Sequence, residues 1–354
     1  MTPNPPLGVF LHAVGGLCAG SFYAPLRQVR RWAWESYWLA MGVFAWILAP
    51  FVVAMITNPD LSGTLTNSPW SAIGLAYLFG AVWGIGSATF GLTMRYLGMA
   101  LGMAVALGFC AAFGTLIPPL VKGELVDTIA TPGGRVALGG VALCLAGIAI
   151  CGYAGVCKER ELSDEEKQAT IAEFAVGRGL IVGVIAGIMS AGFNYGLTAG
   201  EPIAAEAVKA GADDLFKNNA VILLVTLGGF TVNLPWCIYL GVKNRSLGDY
   251  LASGAGPQVR NYALCAISGI VWYGQFFFYG MGTTKLGEEY DFSSWTLHMA
   301  FIIIFSNLWG LILREWRGAS LRTMLLVSAG ILTLIGSTVV IGMAEKIAAW
   351  LAAF

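Results

Sequence analysis

Ten apolar runs, each near twenty residues, follow one another along this chain and leave it little to fold in except a lipid bilayer. They fall at about 7–25, 38–57, 71–93, 98–120, 135–155, 178–199, 219–242, 261–283, 294–313 and 324–344. About 20 predominantly apolar residues carry a helix across the hydrocarbon core. A helix also pairs every backbone group within its own segment, as a medium without water demands. Only 11% of the 354 residues are charged, 57% are hydrophobic and the mean hydropathy is +0.73. A soluble domain carries about 25% charged residues. The expected fold class is therefore all-α, a polytopic membrane protein with ten transmembrane helices. Twenty basic and twenty acidic residues cancel, so no nucleic-acid partner is expected. The lipid bilayer itself is the surrounding partner.

The one clearly solvated stretch, KERELSDEEKQATIAEF from Lys158 to Phe174, splits the runs into two sets of five. Five is odd, so the second set must enter the membrane from the opposite side. The expected organisation is a first five-helix repeat at 1–157, a cytoplasmic linker at 158–177 and an inverted second repeat at 178–354. A faint internal match agrees. GAVWGIGSATFGLTMRYLG, from Gly80, aligns with GIVWYGQFFFYGMGTTKLG, from Gly269, at Gly80/Gly269, Val82/Val271, Trp83/Trp272, Gly91/Gly280, Leu97/Leu286 and Gly98/Gly287. Basic residues set the orientation. Fourteen follow the odd-numbered spans and six lie on the other face, which places both termini outside. The opening MTPNPP has no Lys or Arg before its apolar run, so the first run reads as a retained span rather than a cleaved leader.

Polar groups at membrane depth are costly and point to function. His12 in span 1 and His298 in span 9 are the two histidines of the chain. A side chain that titrates near neutral pH suits a coupling proton. Helical spacing then gathers faces: His12, Gly16 and Tyr23 on span 1; Ser190, Asn194 and Glu201 on span 6; Trp83, Ser87 and Phe90 on span 3; Trp272, Gln275, Phe276 and Tyr279 on span 8. Rings with interspersed amides suit a sugar, whose C–H faces stack and whose hydroxyls need convergent donors and acceptors. Tyr23, Asn194, Trp272, Gln275 and Tyr279 are the expected substrate residues. Arg27, Glu35, Arg95 and Glu315 lie at cytoplasmic span ends, where ion pairs could close an inward gate. Snorkelling is the plainer role for such charges. Pro50 and Pro235 fall inside apolar runs, where a proline frees a carbonyl and kinks the helix. The seven cysteines form no CxxC pair, and there is no P-loop, HExxH or GxSxG. No enzyme chemistry, metal or cofactor is expected.

Several strings resemble the L-rhamnose–proton symporter family of the drug/metabolite transporter superfamily. They are FYAP (Phe22–Pro25), WAWE (Trp32–Glu35), FGAVWGIG (Phe79–Gly86), GLTMRYLGM (Gly91–Met99), GGR (Gly133–Arg135), WYGQFFFYGMG (Trp272–Gly282), YDFSSWTLHM (Tyr290–Met299) and LREW (Leu313–Trp316). GLTMRYLGM and QFFFY are the specific ones, and the order fits over the whole length. Gln275 and His298 fall within these strings, and the fit over the whole length runs from His12. SATF, from Ser87 to Phe90, departs from the amide-rich pattern expected there. The resemblance implies a ten-span inner-membrane carrier importing L-rhamnose, or related deoxy or pentose sugars, with a proton. It implies no obligate protein partner. Two other readings stand beside it: a same-fold carrier of another metabolite or drug working by exchange or efflux, and a non-transporting membrane receptor or enzyme.

Overall fold

The computed structural model describes residues 3–123, 125–161, 176–252, 255–287, 291–312 and 318–353. Among these residues there is no strand. The principal helices are α1 (Pro5–Ser21), α2 (Trp34–Gly42), α3 (Ala49–Thr57), α4 (Trp70–Lys122), α5 (Pro132–Glu161), α6 (Val176–Ser190), α7 (Gly192–Ala199), α8 (Asn219–Lys243), α9 (Ala255–Leu286), α10 (Asp291–Ile312) and α11 (Leu321–Gly342). Among the described residues, eight stretches are long and apolar enough to cross a membrane: Pro5–Leu26, Trp34–Thr57, Trp70–Phe90, Pro132–Lys158, Gly177–Ala199, Asp214–Lys243, Pro257–Leu286 and Leu321–Gly342. The runs expected at 71–93 and 98–120 lie in one unbroken helix, α4. Glycine alone lowers helicity by only about 1 kcal/mol, and no proline separates the two runs. The run expected at 294–313 corresponds to α10.

Local sequence sets the helix ends. Gly287, at φ 92°, closes α9 in the left-handed conformation that glycine adopts without penalty. Ser320 caps α11 by accepting the Thr323 amide at 3.3 Å. Glu161, at the end of α5, adds a cap across the chain, accepting the Ser320 amide and the Thr323 hydroxyl, each at 2.7 Å. Between α2 and α3 the chain widens into a π-helical turn, Val43–Leu48, in which the Ala49 amide reaches back to the Phe44 carbonyl. Pro50 explains it. Proline has no N–H for the Trp46 carbonyl and crowds it sterically, and one wider turn relieves the clash.

The helices gather into two compact units. One holds Cys18–Ile85 and Gly192–Met281; the other holds Thr2–Leu17, Gly86–Ala191 and Gly282–Phe354. Both draw on each half of the sequence, because helices from the first, third, sixth and eighth runs contribute to both.

Packing inside each unit is duplicated. In the first, a Cβ on Gly80 would lie 2.1 Å from the Val225 carbonyl oxygen, and one on Gly269 would lie 2.6 Å from that of Met41. Trp83 and Trp272, matched in the sequence, stack on each other with centroids 5.5 Å apart and 24° between planes. The step from Met41 to Val225 also carries Trp46 to Phe230, and these two rings meet at 6.4 Å. Phe22 meets Trp272 edge-on at 6.2 Å, and Phe193 meets Trp83 edge-on at 5.5 Å. In the second unit, Gly16 backs onto Phe301 and Gly187 onto Phe109. The Phe301–Phe305 and Phe109–Phe113 pairs are both stacked, at 25° and 23°. Gly147 backs onto Leu334 and Gly330 onto Cys151. Each contact has a mate with the helices exchanged.

Candidate functional site

The first unit contains a buried aromatic cluster. Trp272 sits between Trp83, Trp46 and Phe276, at 5.5, 5.4 and 4.9 Å. Phe276 stacks on Phe193 at 4.2 Å. Trp83 has room because its partner helix carries Gly229 at the point of contact. On α9, Ser268, Trp272, Gln275 and Tyr279 return to one face at steps of 4, 7 and 11 residues. The Tyr279 hydroxyl donates to Asn194 Oδ1 at 2.7 Å, so two expected substrate residues from distant parts of the chain meet. Gln275 is 6% exposed, and its amide makes no hydrogen bond among the described residues. Tyr23 stands apart. It is 41% exposed and its hydroxyl lies 3.5 Å from that of Tyr37. Its neighbour Phe22 touches Trp272 instead, because α1 ends at Ser21 and the regular spacing breaks there.

The second unit contains the histidines. His12 on α1 and His298 on α10 are buried, with ring centroids 5.9 Å apart. Ser294, one turn before His298, brings its hydroxyl within 2.9 Å of His12 Nε2. Close passage at Gly282 admits the His12 ring, whose atoms would lie 2.9–3.0 Å from a Cβ there. α10 is anchored by the Trp295 indole, which donates to the Cys110 carbonyl at 2.9 Å. The Ser294–His298 spacing of four residues was legible in the sequence; its pairing with α1 was not.

The residues expected at a gate behave differently from one another. Glu35 is buried, and its carboxylate accepts from Ser246 Oγ at 2.6 Å and Asn244 Nδ2 at 3.0 Å. These donors are neutral. Asp249 answers from the same loop, accepting the Ala33 amide at 2.7 Å and Ser36 Oγ at 2.8 Å. It thereby caps the start of α2 from a distant segment. Asn261 brackets Arg30, donating to its carbonyl at 2.9 Å. Arg31 and Arg245 take positive φ, 63° and 56°, on either side of this clasp, a conformation that costs a non-glycine residue about 1 kcal/mol or more. Arg27 is exposed. The Arg95 side chain and Glu315 lie outside the described residues.

A family model described as L-rhamnose-proton symport protein (RhaT) matches residues 1–347. The chain belongs to the L-rhamnose–proton symport family. It is 35% identical over 339 residues to proteins named L-rhamnose-proton symporter from Citrobacter koseri, Cronobacter sakazakii and Yersinia pestis. Each alignment covers 95% of this chain and 97% of the relative. This symport family is one of transporters, not enzymes, and the apolar helices make the chain a multi-pass membrane protein. One unit thus holds a buried face of rings and amides, and the other a buried imidazole pair. Phe22, Phe193, Trp46 and Ser294 join these clusters although spacing alone did not select them. For Trp46 the available signal was Pro50, four residues on.

Proposed function

We propose that this chain imports L-rhamnose together with a proton across the cytoplasmic membrane by alternating access. The whole-length match to a family of that name carries the substrate and the coupling. Ten spans in two inverted five-helix repeats, the first at 1–157 and the second at 178–354, are the architecture of this reading. The duplicated contacts support it, above all the stack of the sequence-matched Trp83 and Trp272. An inverted repeat offers two states in which the halves exchange conformations. The termini face outward on this reading, and the Glu35 clasp lies on the cytoplasmic side.

The sugar binds against Trp272 and its neighbouring rings, with Gln275, Asn194 and Tyr279 meeting hydroxyls. His12 and His298 carry the proton. Two charged rings 5.9 Å apart would repel, so the pair takes up at most one proton, and when His12 carries it, its Nε2–H donates to the Ser294 hydroxyl. Symport requires that the charge alter sugar affinity, and by linkage that sugar alter proton affinity.

Proteoliposomes given radiolabelled L-rhamnose test this directly. The wild type accumulates sugar down an inward proton gradient and loses the accumulation to a protonophore. His12→Ala and His298→Ala retain counterflow exchange but no longer concentrate sugar. Accumulation by both variants would remove the histidines from coupling, and no rhamnose transport by folded wild type would remove the substrate.

A further inference from the structure

Two polar groups buried in the aromatic cluster have nothing to bond. Trp46 is fully buried, as is Ser268, and neither the Trp46 indole N–H nor the Ser268 hydroxyl has a hydrogen-bond partner among the described residues. Burying such a group unpaired is costly, so each orphan asks what completes it. Both belong to one helix crossing. A Cβ on Gly269 would lie 2.6 Å from the Met41 carbonyl oxygen and 3.0 Å from the Ala45 amide nitrogen. Ser268 therefore stands where α9 meets the π turn that bears Trp46. The Trp46 ring packs at 5.4 Å against Trp272, one helical turn along α9 from Ser268. Gln275, whose amide is also unbonded, follows on the same face. Among other orphans, Trp32 lies beside Tyr250 and Tyr262, and Tyr273 is turned about 100° from Trp272 on α9.

We propose that Trp46 and Ser268 are sugar-recognising residues, each completing its hydrogen bonding with a hydroxyl of the transported sugar. This rests on the reading that the aromatic cluster is the sugar site. The π turn is then functional. It absorbs Pro50 and presents the Trp46 indole beside Trp272, in keeping with the tendency of such turns to mark functional sites. The counterpart position in the second half is Phe230, a ring without a donor. The duplicated scaffold thus already accepts phenylalanine there, and the indole N–H is what the first half adds.

Trp46→Phe removes that N–H while keeping an aromatic ring, and Ser268→Ala removes the hydroxyl alone. Equilibrium binding to the purified full-length protein is measured for L-rhamnose and for its four analogues singly deoxygenated at C1, C2, C3 or C4. Each variant should bind L-rhamnose about tenfold more weakly than wild type. One analogue should bind Trp46→Phe and wild type alike, because the hydroxyl that met the indole is already gone, and another should do the same for Ser268→Ala. Unchanged rhamnose affinity in the variants, or an equal loss with every analogue, would overturn the proposal while leaving rhamnose as substrate. Failure of wild type to bind any of these sugars would instead overturn the substrate reading on which it rests. Should Trp46→Phe not fold, Ser268→Ala decides the matter by the same criteria.

Discussion

Gly282→Ala tests the histidine cluster without removing a polar atom. The added Cβ would sit 2.9 Å from His12 Cε1 and Nε2 and 3.0 Å from Cδ2. Carbon atoms prefer about 3.5–4.0 Å, so the ring must retreat by roughly 0.6 Å. It is fully buried, so the movement is taken up by its neighbours, Ser294 and His298 among them. Overpacking of this kind costs about 1–3 kcal/mol, and alanine in a helix returns about 0.8–1.0 kcal/mol over glycine. The net loss of about 2 kcal/mol or less leaves a folded protein. The 2.9 Å contact from Ser294 Oγ to His12 Nε2 is the casualty. A hydrogen bond to a charged group contributes about 1.5–3 kcal/mol, roughly ten- to hundredfold in occupancy of the charged form. In proteoliposomes the variant should exchange sugar within about threefold of wild type yet fail to accumulate it down a proton gradient. Gly74→Ala is the matched control, a helical glycine with nothing within 4 Å of its added Cβ, and it should behave as wild type. Wild-type accumulation by Gly282→Ala would refute the placement of coupling at His12.

Two further outcomes follow from hydrogen bonds already described. The Ser320 side chain and amide, then the Thr323 hydroxyl, hold the Glu161 carboxyl below the usual carboxylate range. A depressed folded value means stability present above the unfolded pKa of about 4.3 and lost as pH falls below it. Glu161→Gln should therefore melt earlier at pH 7 and converge with wild type on acidification; a constant difference across pH would argue against the cap. Tyr279→Phe removes the donor held by Asn194 and should lower stability by about 0.5–1.5 kcal/mol. It should also raise the sugar KM with Vmax retained, and unchanged values for both would detach this pair from the site.

What could be read from the residues, and what could not, divides along physical lines. Membrane spans and all-helical structure were visible in apolar run length, which the bilayer dictates. The correspondence of Trp83 with Trp272 was visible because both tryptophans survive in matching strings; their stacking was not. The equally exact correspondence of Phe109 and Phe113 with Phe301 and Phe305 was in the sequence too. It escaped because those runs share almost no identities around the rings. Faces drawn by regular spacing failed where the helix is interrupted. Extending the His12 stripe to Tyr23 crosses the end of α1 at Ser21, and the ring that arrives at Trp272 is Phe22. The Ser190–Asn194 stripe crosses the junction of α6 and α7, so its two residues fall in different units. Glu35 invited arginine partners by charge alone. Its actual donors, Asn244 and Ser246, come from a loop about 210 residues away, and no local rule links them.

The duplicated scaffold and the chemistry on it follow different rules. The steps that exchange mated contacts carry His12 to Gly183, His298 to Ala106 and Ser294 to Gly102. None of these counterparts can bind a proton. Packing is thus repeated where helices approach closely, at Gly80 and Gly269 or Gly16 and Gly187; on the proposed alternating access, either half must support the same crossings when the other changes state. The titratable cluster is built once. A strict repeat would carry two such clusters and two protons for each sugar, doubling the electrochemical work per turnover. On the proposed coupling, one cluster whose paired rings hold a single charge carries one proton per sugar. The driving force is then set by the residues in which the two halves differ, and the two-state geometry by those in which they agree.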